Sequence, residues 1–245
     1  MNTKFCVFRP IGSLGFVVGA ALTAQVLALA SPQAAASPTA ATPPKPLHMP
    51  AEQLRKNPAV HPGEAVAGKS QGDWSLAWWQ WMASFGAESN PANDPSGDLC
   101  TKGQNGPVWF LAGSTGERRS LRRCRVPKGK YLFLPLIQSL VAPQEPGEHV
   151  CAELMLRAAK ITREASALVT DIDGLRIEQL DRYRQATPAC FNPGSQAPKG
   201  SFGSIAASNG YYVMLYPLPK GRHILNFSGA LPGTIQSVTY QLTVD

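Results

Sequence analysis

The clearest hydrophobic pattern in the chain is helical and lies in the stretch DWSLAWWQWMASF, residues 73–85. On a helix with about 100° between successive residues, four aromatic side chains share one narrow stripe: Trp74, Trp78, Trp81 and Phe85. Three buried indoles would remove on the order of 600 Å² from water, an upper-bound gain of roughly 15 kcal/mol. The stripe is therefore predicted to be core, with Asp73 as the N-cap and Gly86 as the stop.

Trp79 does not belong to this stripe, because it points about 120° away from it on the same helix. Two interpretations remain open for this side chain. It packs against a second layer of the fold, or it forms an exposed aromatic contact and is then a candidate binding residue.

Strand patterns dominate the rest of the chain. SVTYQLTV near the C-terminus alternates apolar and polar residues, which indicates a strand with one face in a core. GPVWFLAG is a short apolar run suited to a buried strand. ALVTDIDGLRI predicts a hairpin through Asp173 and Gly174, whereas EHVCAELMLRAAKITREA has helical propensity.

Two further segments, VPKGKYLFLPL and LPKGRHILNFSG, resemble each other, and each reads as a turn that leads into an apolar strand. They predict two similar hairpins. Together the patterns predict a mainly β fold, an antiparallel β-sandwich with an N-terminal Trp-rich helix and one further helix. Residues 73–245 are expected to form this single domain, a size that supports a substantial core.

The N-terminal region is predicted to be an export signal followed by a tether. Residues 1–36 combine a positively charged start, an apolar run over 11–30 and small residues suited to cleavage. The apolar run is long enough to span a bilayer, so a retained membrane anchor is the alternative. Residues 37–72 are rich in Pro and Ala, which favours extended, solvated backbone. The protein is expected in the periplasm or outside the cell.

Four cysteines follow the predicted signal, an even number that suggests two disulfides in an exported chain. Sequence alone does not separate the three pairings. The sequential pairing is favoured because each bridge then closes a modest loop: Cys100 with Cys124, and Cys151 with Cys190. No metal is expected, because a structural zinc site usually has a close CxxC pair and this sequence has none.

The chain is basic, with a formal net charge of +7, and much of the excess lies in the segment RRSLRRCR. Its arginines are candidate binding residues for an anionic partner: Arg118, Arg119, Arg122 and Arg123, with Arg125 beside them. The alternative is a solvated strand or loop face. Because export argues against nucleic acid, an anionic glycan or an envelope surface is the expected partner.

A nucleotide is not expected, although GEAVAGKS, residues 63–70, matches the phosphate-loop pattern GxxxxGK[ST]. That chemistry requires the loop to lie between a buried strand and a helix. The preceding residues RKNPAVHP contain prolines that do not suit a central strand. No other cofactor is expected.

Several blocks of the sequence occur in the order found in a family of bacterial exported proteins. These blocks are WSLAWWQW, GPVWFLAG, CRVPKGK and PLPKGRH, and the similarity runs from about Gly68 to the C-terminus. The chain therefore resembles this family, for which no activity is assigned. The resemblance implies no catalytic residues, and neither RRSLRRC nor the tether belongs to it.

Enzyme signatures such as GxSxG and HExxH do not occur. His149 and Glu153 would share a helix face, but a surface pair beside a disulfide is the simpler interpretation. The oxygens of Asn93, Asp94 and Asp98 suit calcium and equally suit a plain turn. His223 is expected in the core or at its rim. No catalytic residue is assigned.

The expected function is a non-enzymatic binding or interaction domain at the cell envelope. The alternative is a hydrolase of an envelope glycan, which would need paired carboxylates in one cleft. The pool of carboxylates for that role is Asp94, Asp98, Glu148 and Glu153.

Overall fold

The computed structural model describes residues 57–114, 119–147 and 150–245. Two helices lie in these ranges: α1 is Gln71–Ala83 and α2 is Cys151–Thr162. The nine strands are β1 (Val108–Phe110), β2 (Ser120–Val126), β3 (Tyr131–Val141), β4 (Ser166–Ile172), β5 (Leu175–Arg176), β6 (Arg184–Ala186), β7 (Ala207–Leu215), β8 (Gly221–Leu231) and β9 (Thr234–Val244).

The strands form two sheets, and the fold is mainly β with a sandwich-like arrangement, as predicted. The four-stranded sheet has the order β1-β3-β7-β6, and the five-stranded sheet has the order β2-β9-β8-β4-β5. The sheets are mixed and not purely antiparallel, because β1 pairs with β3 in parallel and β2 pairs with β9 in parallel. These parallel pairs arise where the chain crosses between sheets, which alternating patterns do not reveal.

A shared apolar core lies between the sheets. Alternate residues of β9 point into it, among them Tyr240 and Leu242, while their neighbours Gln241 and Thr243 are less buried. Inward residues of β3, such as Leu134, belong to the same core. The predicted one-sided burial of the last strand is confirmed.

The four-stranded sheet is covered on both faces. Every residue of β7 is buried, because one face packs on the five-stranded sheet and the other packs under helix α1. Helix α2 packs on Val141 and Ala207. The apolar stripe of α1 lies in this second core with Phe110, Phe133 and Tyr212. The prediction that the tryptophan stripe is core is confirmed.

Helix α1 starts three residues earlier than its pattern predicted. Ser70 is the N-cap, and its side chain accepts a hydrogen bond from the backbone N–H of Asp73 while the Asp73 carboxylate accepts from the N–H of Ser70. This capping box makes Asp73 the third helical residue, so its prediction as N-cap is wrong. The helix ends at Ala83, before the predicted stop at Gly86.

Residues 57–72, which the sequence assigned to the tether, pack on the domain. Val60 is fully buried and donates its backbone N–H to Met214 O at 2.8 Å. The indole of Trp74 donates to Val66 O at 3.0 Å. The predicted signal and residues 37–56 lie outside the described residues. No helix in the described ranges has the length and apolarity needed to cross a membrane.

Two disulfides are present with the favoured pairing, Cys100–Cys124 and Cys151–Cys190. The first joins the loop before β1 to strand β2. The second joins the first residue of α2 to the segment that leads toward β7. Disulfides persist in oxidising compartments, so the protein is suited to an environment outside the cytoplasm.

The predicted turn at Asp173 and Gly174 is confirmed, since both residues have positive φ and join β4 to β5. The prediction of two similar hairpins is wrong. The turn at Lys128 connects β2 in the five-stranded sheet to β3 in the four-stranded sheet, and the turn at Lys220 connects β7 back to β8. Each Pro-Lys-Gly turn is therefore a corner at which the chain changes sheets.

Candidate functional site

The arginine run that the sequence singled out is divided between two faces of β2. Successive side chains of a strand point to opposite faces, so Arg122 is buried while Arg123 and Arg125 are exposed. Arg119 is exposed just before the strand, and Arg118 lies outside the described residues. The predicted set of binding arginines is thus not one surface.

Arg122 is a structural residue, since only 1% of it is exposed. Its guanidinium donates to the backbone carbonyls of Ala112, Gly113 and Ala92 at 2.8 to 3.0 Å. It also donates to the Tyr240 hydroxyl at 3.1 Å and lies over that ring. These contacts tie the loop before β1, the end of β1 and β9 to strand β2, so Arg122 is removed from the exposed candidates.

Trp79 is likewise buried, with 6% exposed. Its indole N–H donates to the Tyr212 hydroxyl at 3.1 Å, and its ring stacks on Phe191 at 5.9 Å. Of the two interpretations of this side chain, packing against a second layer is the one observed. An exposed aromatic contact would need a side chain at the surface.

A basic surface nevertheless forms at one end of the five-stranded sheet. The register places Arg125, Thr243 and Arg222 in one row across β2, β9 and β8, with Arg123 and Gln241 in the next row. The two Pro-Lys-Gly corners bring exposed lysines to the same end. We call this surface the basic corner: Arg123, Arg125, Lys128, Lys220 and Arg222.

The basic corner carries more positive charge than its neighbours neutralise. Arg125 forms an ion pair with Asp245 at 3.0 Å. Arg123 donates to the side-chain oxygen of Gln241 at 3.3 Å, and the Arg222 guanidinium has no hydrogen bond or ion pair with a described residue. The arginines line an open depression of about 520 Å³ together with Ile224 and Thr243. An anion in this depression would meet guanidiniums that retain unused donors.

Three of these five residues, Lys128, Lys220 and Arg222, were not among the residues predicted from sequence. The sequence did contain one signal for them: the two Pro-Lys-Gly segments are similar, and each places a lysine at the same position of a turn. Their convergence depends on the pairing of Val126 with Val244 and of Val244 with Gly221. Through Val244, these two pairings bring Val126 close to Gly221, which lies nearly a hundred residues later in the chain.

His223 lies beside this surface but is fully engaged. One ring nitrogen, Nδ1, is 2.7 Å from Asp173 Oδ2, and the other, Nε2, is 2.8 Å from the carbonyl oxygen of Pro219. Asp173 also accepts the backbone N–H of Ile224 at 2.8 Å. The side chain fixes the β4–β5 turn to the start of β8, in agreement with the predicted place at the rim of the core.

The turn DPSGD is built around Asp94. One carboxylate oxygen accepts the backbone N–H and hydroxyl of Ser96, and the other accepts the N–H of Leu99 at 2.8 Å. Burial acts to raise the pKa of Asp94, but these hydrogen bonds outweigh it, so the pKa lies below its ordinary value. A carboxylate held in this way is a poor proton donor near neutral pH.

The remaining candidates do not form a carboxylate pair in a cleft with Asp94. Asp98 belongs to the same turn but is exposed, and Glu153 is exposed on α2. Glu148 and His149 lie outside the described residues. Within the described ranges, no three His, Cys, Asp or Glu side chains form a group suited to a metal ion.

The segment that matches the phosphate-loop pattern forms a tight turn before α1. Ala67 and Gly68 have positive φ, and Val66 and Lys69 exchange backbone hydrogen bonds across the turn. The Lys69 ammonium lies over the Trp74 ring at 5.0 Å. The first helical N–H groups are partly engaged by the Ser70 capping box.

Tyr216 has an unusual environment just after the end of β7. Its hydroxyl donates to the Glu64 carboxylate, with oxygen distances of 3.0 and 3.2 Å. Burial raises the pKa of Tyr216 well above its ordinary value of 10.0, and the Glu64 carboxylate raises it further. Burial also raises the pKa of Tyr131, whose ring is 5.9 Å from that of Tyr216.

We expect Glu64→Gln to lower the pH at which Tyr216 ionises, because the carboxylate that opposes a phenolate is removed. A raised pKa in the folded state contributes stability below the unfolded value, about pH 10, and this contribution is lost as pH rises further. The variant should therefore lose less of its stability on going from neutral to alkaline pH than the parent protein does.

Titration of tyrosinate ultraviolet absorbance checks this expectation, with Tyr216→Phe as the control that identifies the titrating group. An unchanged alkaline titration in Glu64→Gln would show that the carboxylate has no influence on Tyr216.

Comparisons with known proteins did not identify a relative. No protein-family model, curated protein or solved structure matches the chain. What the protein binds is therefore inferred from its own geometry.

Proposed function

We propose that this protein is an exported, non-enzymatic binding module that holds an anionic glycan of the cell envelope on its basic corner. The observation that carries the proposal is the convergence of five cationic side chains at one end of the five-stranded sheet. One of them, Arg125, is ion-paired, with Asp245. Such a surface attracts a polyanion through its summed field.

The openness of the basic corner favours a polymer over a small molecule. Small ligands are usually enclosed by their sites, whereas Arg123, Arg125 and Arg222 lie on an exposed sheet face. Neighbouring rows on one face of a strand are roughly 7 Å apart, and strands two apart in a sheet are separated by roughly 10 Å. Charges spread in this way can engage several acidic groups of one chain.

The proposed location follows from the disulfides and from the predicted signal. Two disulfides suit an oxidising compartment, and the apolar N-terminal run is typical of exported proteins. We place the protein in the periplasm or outside the cell, where anionic envelope polymers are available and nucleic acid is scarce. The resemblance to bacterial exported proteins agrees with this placement.

The hydrolase alternative has less support. Both oxygens of Asp94 are engaged by its own turn, Asp98 is exposed in that turn, and Glu153 is exposed on α2. A glycan hydrolase needs two carboxyl groups on opposite sides of one bond, with one of them able to donate a proton.

The proposal is tested by replacing Arg123 and Arg222 with alanine and measuring retention on immobilised heparin, used as a probe for anionic glycans. We expect the double variant to elute at lower salt and to bind soluble heparin about tenfold more weakly, since exposed charges contribute up to about 1 kcal/mol each. Salt should weaken the binding of the parent protein by screening.

A matched control is Lys160→Ala with Arg163→Ala, which removes the same charge from two exposed positions, one in the last turn of α2 and one at its C-cap. If this control loses as much affinity as the sheet variant, net charge and not the basic corner governs binding. Neutral dextran should not be retained by any of these proteins. Retention of dextran would indicate a different kind of glycan recognition.

A further inference from the structure

A second depression, with a volume of about 260 Å³, lies where the chain crosses from the five-stranded to the four-stranded sheet after β5. One wall is the segment 57–62, and the other comprises the end of β5 and the short 3₁₀ turn Leu180–Tyr183. Its polar lining includes Asn57, His61, Arg176, Glu178, Arg182 and Tyr183. We call this depression the crossing cleft, and it shares no residue with the basic corner.

The first wall of the crossing cleft is held in place by buried and half-buried polar contacts. The Gln71 side chain donates to His61 O at 2.7 Å, and the Gln185 side chain donates to Pro62 O at 3.1 Å. The backbone of residues 58–60 also bonds to the end of β7. This wall therefore requires little ordering when a ligand binds.

The second wall contains a backbone conformation that is costly for its residue. Gln179 has φ 56° and ψ 42°, in the left-handed region that non-glycine residues seldom occupy. Its side-chain oxygen accepts from Arg182 Nη1 at 2.9 Å. The strained residue thereby fixes the guanidinium of Arg182 beside the cleft. Strain of this kind is found mostly where the surrounding structure uses it.

Several hydrogen-bond donors line the cleft. His61 Nδ1 accepts the backbone N–H of Gly63 at 3.2 Å, so the proton of the neutral imidazole lies on Nε2. The Arg176 guanidinium has no hydrogen bond or ion pair with a described residue. Burial raises the pKa of Tyr183, although a hydrogen bond with the Asn57 side chain and the nearby Arg182 charge oppose this; a tyrosine hydroxyl is protonated at neutral pH and can donate.

We propose that the crossing cleft binds a phosphate ester, with the phosphate between the guanidiniums of Arg176 and Arg182 and within reach of His61 and Tyr183. Guanidinium groups bind phosphate oxygens through paired, charge-assisted hydrogen bonds. A tetrahedral oxyanion accepts several hydrogen bonds, and this cleft offers donors from two arginines, an imidazole N–H and a phenol.

Glu178 and the size of the cleft indicate an ester and not free phosphate. The Glu178 carboxylate would repel a bare anion, but it can accept hydrogen bonds from hydroxyl groups attached to the phosphate. A volume of about 260 Å³ also exceeds what one phosphate group fills. A sugar phosphate satisfies both features, whether it is a free metabolite or the end of an envelope polymer.

Isothermal titration of the full chain with glucose 6-phosphate tests the proposal. We expect saturable one-to-one binding that is weakened at least tenfold in Arg176→Gln and in Arg182→Gln, while inorganic phosphate binds more weakly and glucose does not bind. Glu178→Gln should reduce the preference for the ester over inorganic phosphate. A phosphorylated wall-polymer fragment that binds more tightly than glucose 6-phosphate would identify the polymer as the source.

The matched control is Arg222→Gln, which removes one charge from the basic corner and should leave glucose 6-phosphate binding unchanged. Heparin retention of the two cleft variants should likewise be unchanged, so failure at one site is distinguishable from failure at the other. The proposal is overturned if no saturation occurs by about 10 mM ligand. It is also overturned if the cleft variants bind as the parent does, or if inorganic phosphate binds as tightly as the ester.

Discussion

Trp78→Ala is expected to lower the free energy of unfolding by about 3 to 5 kcal/mol, the usual cost of removing a large buried aromatic side chain. Trp78 is 1% exposed and lies at the centre of the second core, with the Trp79 ring at 5.0 Å and the Tyr212 ring at 6.3 Å. Its indole N–H donates to Leu111 O at 3.0 Å. The substitution therefore creates a cavity and also leaves a buried carbonyl without its partner.

Urea denaturation followed by circular dichroism measures this effect. Gln80→Ala is the matched control, because Gln80 lies on the exposed face of the same helix and should change stability by less than about 0.5 kcal/mol. If both variants unfold at the parent's urea midpoint, the helix does not contribute its tryptophans to a core.

Arg122→Ala is expected to be the second large effect, a loss of about 3 to 5 kcal/mol. Removal of the guanidinium leaves the carbonyls of Ala92 and Gly113 buried without this donor, while the Ala112 carbonyl keeps the Tyr240 hydroxyl at 3.1 Å. Each such group costs about 1 to 3 kcal/mol, and the lost side-chain volume adds a cavity. The effect does not depend on an ion pair, because the hydrogen bonds of the Arg122 Nη atoms go to carbonyl and hydroxyl oxygens.

Arg123→Ala is the control for this prediction, with the same change of charge at the neighbouring position. Arg123 is exposed on the opposite face of β2, so its loss should alter stability by no more than about 0.5 kcal/mol. Heparin binding should show the opposite pattern: Arg123→Ala should weaken it, because Arg123 belongs to the basic corner, whereas Arg122→Ala should not. Equal destabilisation by both substitutions, measured by urea denaturation, would contradict the division of the arginine run between core and surface.

The features that sequence predicted well are those that depend on neighbours along the chain. The stripe of α1 follows from helical periodicity, and the turn at Asp173 and Gly174 follows from residues that accept positive φ. The sequential disulfide pairing was also predicted correctly, because it closes the shorter loops along the chain. The resemblance to bacterial exported proteins stays a prediction, as does the export signal.

The features that sequence did not predict depend on which strands meet. The parallel pairs β1 with β3 and β2 with β9 require the chain to change sheets between neighbouring strands. The Pro-Lys-Gly turns were interpreted as hairpins because a turn followed by a strand looks the same in both cases. Capping is similarly ambiguous, since both Ser70 and Asp73 are good N-cap residues and only the hydrogen bonds of the formed helix distinguish them.

By itself, then, the sequence determined that the chain has a tryptophan-lined core helix, a mainly β domain and cysteines suited to two bridges. Periodicity and local turn chemistry contain that information, because each helix or strand must bury one face, and that face shows in its own sequence pattern. Only the tertiary structure decided that Arg122 lies in the core while Arg123 lies on the surface. It also decided that Lys128, Lys220 and Arg222 lie beside Arg123 in the basic corner. Strand register sets which face of β2 is buried and which distant segments become neighbours, and register is settled by long-range packing.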